Sequence, residues 1–77
     1  NPFNPSVKLD FYLPVFENIE INVYNIKGSY IDNLMSGLQE PGYYNISWDA
    51  ENYPTGIYFI QFSSQQIKKT MKVMLIK

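Results

Sequence analysis

The segment IEINVYNIKG, residues 19–28, decides how the chain folds. Ile19, Ile21 and Val23 alternate with Glu20, Asn22 and Tyr24. A period of two belongs to a strand with one dry and one wet face. Lys27-Gly28 then reads as a short turn, where glycine supplies a positive φ without steric cost. Upstream, Val7, Leu9, Phe11 and Leu13 alternate with Lys8, Asp10 and Tyr12, and Pro14 ends that strand. Downstream, Tyr30 to Met35 is a third strand of weaker pattern, and Pro41-Gly42 suits the central positions of a type II turn. Tyr44, Ile46 and Trp48 mark a fourth strand, and residues 49–56 (DAENYPTG) a loop of turn formers. Ile57 to Phe62 is a fifth strand, Ser63 to Gln66 a polar hairpin loop, and Ile67 to Ile76 the last strand.

No helical stripe of useful length interrupts this pattern. Turn signals recur roughly every 8–12 residues, the spacing of a sandwich or barrel. Two sheets must close on each other to dry so many strand faces. The expectation is an all-β, immunoglobulin-like sandwich of about seven strands in two antiparallel sheets, covering residues 6–77. Residues 1–5 (NPFNP) read as a stiff entry linker, because Asn-Pro disfavours helix at each preceding residue.

Composition agrees with one small domain. The chain has 77 residues, and a domain of that size buries only about 60% of the surface its unfolded chain exposes. Apolar residues at 45% and aromatics at 17% provide an efficient core. There is no Cys, so no disulfide can contribute, and no His, which removes the commonest metal ligand. Net charge is −1, with no overall pull toward nucleic acid or anionic membrane. The charge is uneven: residues 1–64 carry Lys8 and Lys27 with all seven acids, whereas residues 65–77 carry Lys68, Lys69, Lys72 and Lys77 and no acid. No run approaches the roughly 18 apolar residues of a membrane helix.

Catalytic constellations are sparse. Triads built on His or Cys are excluded, and no Ser-x-x-Lys occurs. The carboxylates fall on turns and outward positions, where solvated charge is their ordinary role. Asp49, Glu51 and Asn52 offer oxygens to Ca²⁺, or simply form turns. Asn45-Ile46-Ser47 is a glycosylation sequon inside a strand. Tyr12, Tyr24 and Tyr43, with Tyr53 on a loop, form either a sugar-stacking platform or ordinary cross-strand pairs. The reading is a non-enzyme without a cofactor. The tail is more informative: Met71, Val73 and Leu75 fall on one strand face, Met74 and Ile76 on the other. A strand apolar on both faces is either covered twice or offered to a partner. Its lysines serve as guards against edge-to-edge aggregation or as a recognition patch.

Five segments together carry a family resemblance: NPFNPS (residues 1–6), VYNIKG (23–28), PGYYNISWDA (41–50), TGIYFIQF (55–62) and KKTMKVMLIK (68–77). In this order they resemble the C-terminal sorting domain of type IX secretion substrates in Bacteroidetes and related bacteria. They are also similar to the wider immunoglobulin-like domain shared with the flagellar hook-capping protein. The resemblance implies a module at the C-terminus of a larger secreted protein in a Gram-negative bacterium. It would cross the outer membrane with its cargo, recognised by the type IX translocon and a barrel-shaped shuttle protein. A sortase would then often remove it and leave the cargo at the cell surface. Carried onto this chain, the family motif positions are Asn4 and Pro5, Gly56 and Tyr58, and Lys72 and Lys77. Lys68 and Lys69 join them as recognition candidates from the charge pattern of the tail. Each has a plainer role available: Gly56 in a turn, Tyr58 in the core, Pro5 setting the entry angle, the lysines as solvated charge. The rival readings are a carbohydrate-binding or adhesive accessory module of a secreted enzyme, a spacer repeat, or a hook-cap domain. The two-faced last strand also allows self-association by strand exchange.

Overall fold

A computed structural model describes residues 6–76; the NPFNP linker, with Asn4 and Pro5, and Lys77 lie outside the described residues. The strands are β1 (Ser6–Leu13), β2 (Glu17–Asn25), β3 (Tyr30–Gln39), β4 (Gly42–Asp49), β5 (Gly56–Ser63) and β6 (Lys68–Leu75). All pairings are antiparallel. One sheet holds β1 and β4, and the other runs β3-β2-β5-β6. β1 and β4 occupy the central two places of the sheet that an immunoglobulin constant domain builds from four strands. The expected seventh strand is absent among the described residues. Every period-two run between Ser6 and Ile76 is already used by the six.

Three local expectations change. β3 runs on to Gln39, beyond Met35. Two register shifts against β2, between Ile21 and Asn22 and between Val23 and Tyr24, break its alternation. They leave Leu34 and Ile31 as extra residues, half-buried against the core, so the period of two is lost in the sequence. The β2–β3 turn sits one residue earlier than Lys27-Gly28. Gly28 N–H donates to the Asn25 carbonyl (2.9 Å). The Asn25 side chain accepts from Lys27 N–H (2.9 Å) and Ser29 N–H (3.0 Å). Gly28 closes the turn at φ +84°, where a Cβ would be strained. Pro41-Gly42 is not a type II turn, because Gly42 has φ +143°, far from the required value of about +80°. Its link joins strands of different sheets and makes an arch, not a hairpin. The Tyr44 hydroxyl steadies that arch by donating to the Glu40 carbonyl.

The core lies between the sheets: Leu13, Ile19, Ile21, Val23, Trp48, Ala50, Tyr58, Ile60 and Leu75. Trp48, from the small sheet, is 1% exposed. Its ring meets Tyr58 edge-on at 5.3 Å and Tyr53 at 5.5 Å. At the other end Phe11 stacks on Tyr44 at 5.1 Å and meets Phe62 of the large sheet edge-on at 5.3 Å. Such aromatic pairs contribute about 0.5–1.5 kcal/mol beyond area burial. The Trp48 Nε1 has no acceptor among the described residues, a cost that the burial of its large ring offsets. The Tyr58 hydroxyl donates to the Pro54 carbonyl at 2.6 Å, which ties the β4–β5 loop to β5 as a tyrosine corner.

Replacing Trp48 with alanine should therefore cost about 3–5 kcal/mol, enough to leave a domain of this size largely unfolded. Tyr58→Phe, which removes only the bond to Pro54, should cost about 1 kcal/mol. Urea denaturation followed by circular dichroism measures both; equal losses would contradict the placement of Trp48 at the centre of the packing.

Candidate functional site

β6 is an edge strand, paired on one side only. Its register with β5 runs from Gly56↔Leu75 through Tyr58↔Val73, Ile60↔Met71 and Phe62↔Lys69 to Ser63↔Lys68. Tyr58 and Ile60 face the core, so their partners do too: the inner face of β6 reads Lys69, Met71, Val73, Leu75. The outer face reads Lys68, Thr70, Lys72, Met74. Burial along the inner face is graded. Leu75 is 4% exposed, Val73 is half-buried, Met71 is 40% exposed and Lys69 is exposed. The outer face is uncovered, with Met74 63% and Ile76 67% exposed. The strand is therefore not covered on both faces.

The tail lysines thus divide. Lys68 and Lys72 project together from the outer face, about 13 Å apart along the strand, while Lys69 points to the core side of the sheet. Lys72 ends a row that runs from Tyr30 through Tyr24 and Phe59. The adjacent row is made of amides: Asn33 Nδ2 donates to Asn22 Oδ1 at 2.7 Å, and Gln61 Nε2 to Thr70 Oγ1 at 3.3 Å. Gly56 and Tyr58 lie on the neighbouring strand. No heavy atom lies within 4 Å of where a Gly56 Cβ would stand, so its glycine answers to backbone conformation and not to space. Tyr58 is 5% exposed and spends its hydroxyl on Pro54.

The other sequence candidates do not converge. Tyr12 and Tyr43 pair across β1 and β4 at 4.7 Å but are tilted by 45°. Tyr24 and Tyr30 pair edge-on on the opposite sheet. Tyr53 packs beside Trp48. These rings form no common flat platform. Asp49 Oδ1 accepts from Glu51 N–H at 3.1 Å, closing a turn on its own backbone. Among the described residues no group of three or more acids gathers as a metal site. Asn45 of the sequon donates to Asp10 across the small sheet.

A family model described as a secretion system C-terminal sorting domain matches residues 1–77. The chain belongs to this family. No curated protein matches it, and no solved structure does. The sorting domain is a signal for type IX secretion, acts with that machinery, and marks its protein as secreted or cell-surface in Gram-negative Bacteroidetes. Its family is not catalytic.

Two features of this sorting domain escaped the sequence pattern. Period two identified the faces of β6 but not which face met the core, so the separation of Lys69 from Lys68 and Lys72 was not legible. Sequence places Tyr53 on a loop, within either a stacking platform or ordinary aromatic pairing, and does not show where its hydroxyl goes. Its hydroxyl donates to the Ile31 carbonyl (3.3 Å) and lies 3.5 Å from Asp32 Oδ2. Burial first, then the Asp32 carboxylate, hold its phenol above the usual tyrosine value.

An acid whose pKa is raised on folding stabilises the protein fully below its unfolded value, about 10 for tyrosine. That stability is lost as pH rises through the folded value. Melting temperature should thus fall above about pH 10, and Tyr53→Phe should fall less steeply. A pH series of thermal melts on both proteins checks this; parallel curves would remove Tyr53 from the account.

Proposed function

We propose that β6 is the element the export machinery grips, and that the domain is substrate and address label with no catalysis of its own. One observation supports this reading above the others: β6 is a free edge with three lysines and no acid, and its uncovered outer face presents Lys68, Thr70, Lys72 and Met74. A partner strand laid along such an edge gains main-chain hydrogen bonds, and complementary charge sets its orientation. The partners in this reading are the type IX translocon and the barrel-shaped shuttle protein, followed where cleavage occurs by the sortase. The cargo in this reading is joined N-terminal to the domain; the candidate positions Asn4, Pro5 and Lys77 lie outside the described residues. Gly56 and Tyr58 act through folding, by keeping β5 in place beside β6. Two copies pairing β6 against β6 would set lysine against lysine. That weighs against the strand exchange which a two-faced apolar strand otherwise allows.

The test needs care, because deleting residues 73–77 would remove Leu75 from the core along with the recognition strand. Residues 1–77 fused to a reporter in a type IX-competent host should carry it to the surface or medium. The double substitution Lys68→Glu with Lys72→Glu changes only exposed side chains. It should leave the reporter in the periplasm with the domain's melting temperature within a few degrees of the parent. Undiminished export of that variant would sink the reading.

A further inference from the structure

The small sheet is too narrow for the large one. Phe11 places β1 over Phe62 of β5, so the Lys69–Met71 end of β6 projects beyond the free edge of β1 as an uncovered floor. The resulting cleft has a volume of about 760 Å³. Leu9, Phe11 and Leu13 form its wall, Phe62 and Met71 its floor, and Lys69 stands at its mouth. Met71 is 40% exposed, although it lies on the core face. Lys69 has no ion-pair partner among the described residues. Two acids also border the cleft. Asp10 is engaged by Asn45, and Glu17 lies at the start of β2, four residues from Ile21.

We propose that this cleft accepts one extended strand of a separate polypeptide, which pairs with the free edge of β1. It lays alternate apolar side chains on Met71 and Phe62 and sets an acid against Lys69. The width of the floor argues for a single strand. β6 extends one strand beyond β1, and strands lie about 4.8 Å apart. A second copy of the domain approaching with its own small sheet would drive its β5 into β6. The chemistry argues for an acid, because Lys69 is an exposed cation on the core side of the sheet with no ion-pair partner among the described residues, and an acid on the incoming strand would meet complementary charge there. The site is distinct from the outer face of β6, and the proposal does not rest on the export reading. It adds a third strand to the small sheet by strand addition.

The ¹⁵N-labelled 77-residue chain can be titrated with two blocked peptides, TVTVTETVT and TVTVTKTVT, followed by amide chemical shifts. The glutamate peptide should shift amides of residues 8–13 and 69–71. Lys69→Glu should weaken it about fivefold, as one partly screened ion pair allows, and should reverse the preference toward the lysine peptide. Leu38→Glu, at an exposed position on β3, should leave both affinities unchanged. The proposal is overturned by any of four results: no binding at millimolar peptide, shifts confined to the outer edges of β3 or β6, affinity indifferent to the charge exchange, or dimerisation of the free chain through the same amides.

Discussion

Trp48 holds the two-stranded sheet over the four-stranded one, and with no cysteine in the chain nothing covalent shares that task. Its ring meets Tyr58 of the large sheet and Tyr53 of the β4–β5 loop. Tyr58 in turn fixes that loop through the Pro54 carbonyl, and Tyr53 reaches back to the Ile31 carbonyl of β3. Three aromatic side chains therefore connect β3, β4, β5 and the longest loop in one packed group. In a domain this small, where each buried aromatic is a large part of the available apolar area, such concentration is how a two-on-four sandwich holds together.

Concentrating the packing at one end leaves the other end open. Leu75, near the Trp48 group, is sealed; Met71 and Lys69, further along the same face of β6, are not. The sixth strand is held through β5 on one side and by its last core residue, while its outer edge and outer face remain in water. An edge of this kind invites unwanted pairing. Three lysines without an intervening acid make the pairing of one copy with another unfavourable, yet leave the backbone accessible to a partner of opposite charge. In the proposed reading the same residues disfavour self-pairing and keep the strand open to the export machinery.

Much of the fold was legible because β1, β2 and β4 each have one dry and one wet face, which period two reveals in the sequence. Alternation failed where the physics departed from regular pairing. β3 loses its alternation at two bulges, and Leu34 and Ile31 look out of phase in sequence although both face the core. The Pro41-Gly42 pair has turn chemistry, but its residues bridge sheets, and composition cannot distinguish an arch from a hairpin. The site was legible as a lysine-rich strand and illegible as a surface. Sorting Lys69 from Lys68 and Lys72 requires the register with β5, a long-range property that local spacing does not encode.

A sorting signal of this design differs physically from a linear peptide tag. A flexible tag must be ordered when it is bound, at a cost of about 1–2 kcal/mol per backbone residue fixed. Here folding has already fixed the extended backbone of β6 and oriented Lys68 and Lys72 on one face, so less of the interaction energy is lost to ordering. The consequence is that the signal depends on the core. If β6 carries the address as proposed, loss of the Trp48 ring, far from the lysines in sequence and buried from any partner, would erase it by unfolding the strand that presents them.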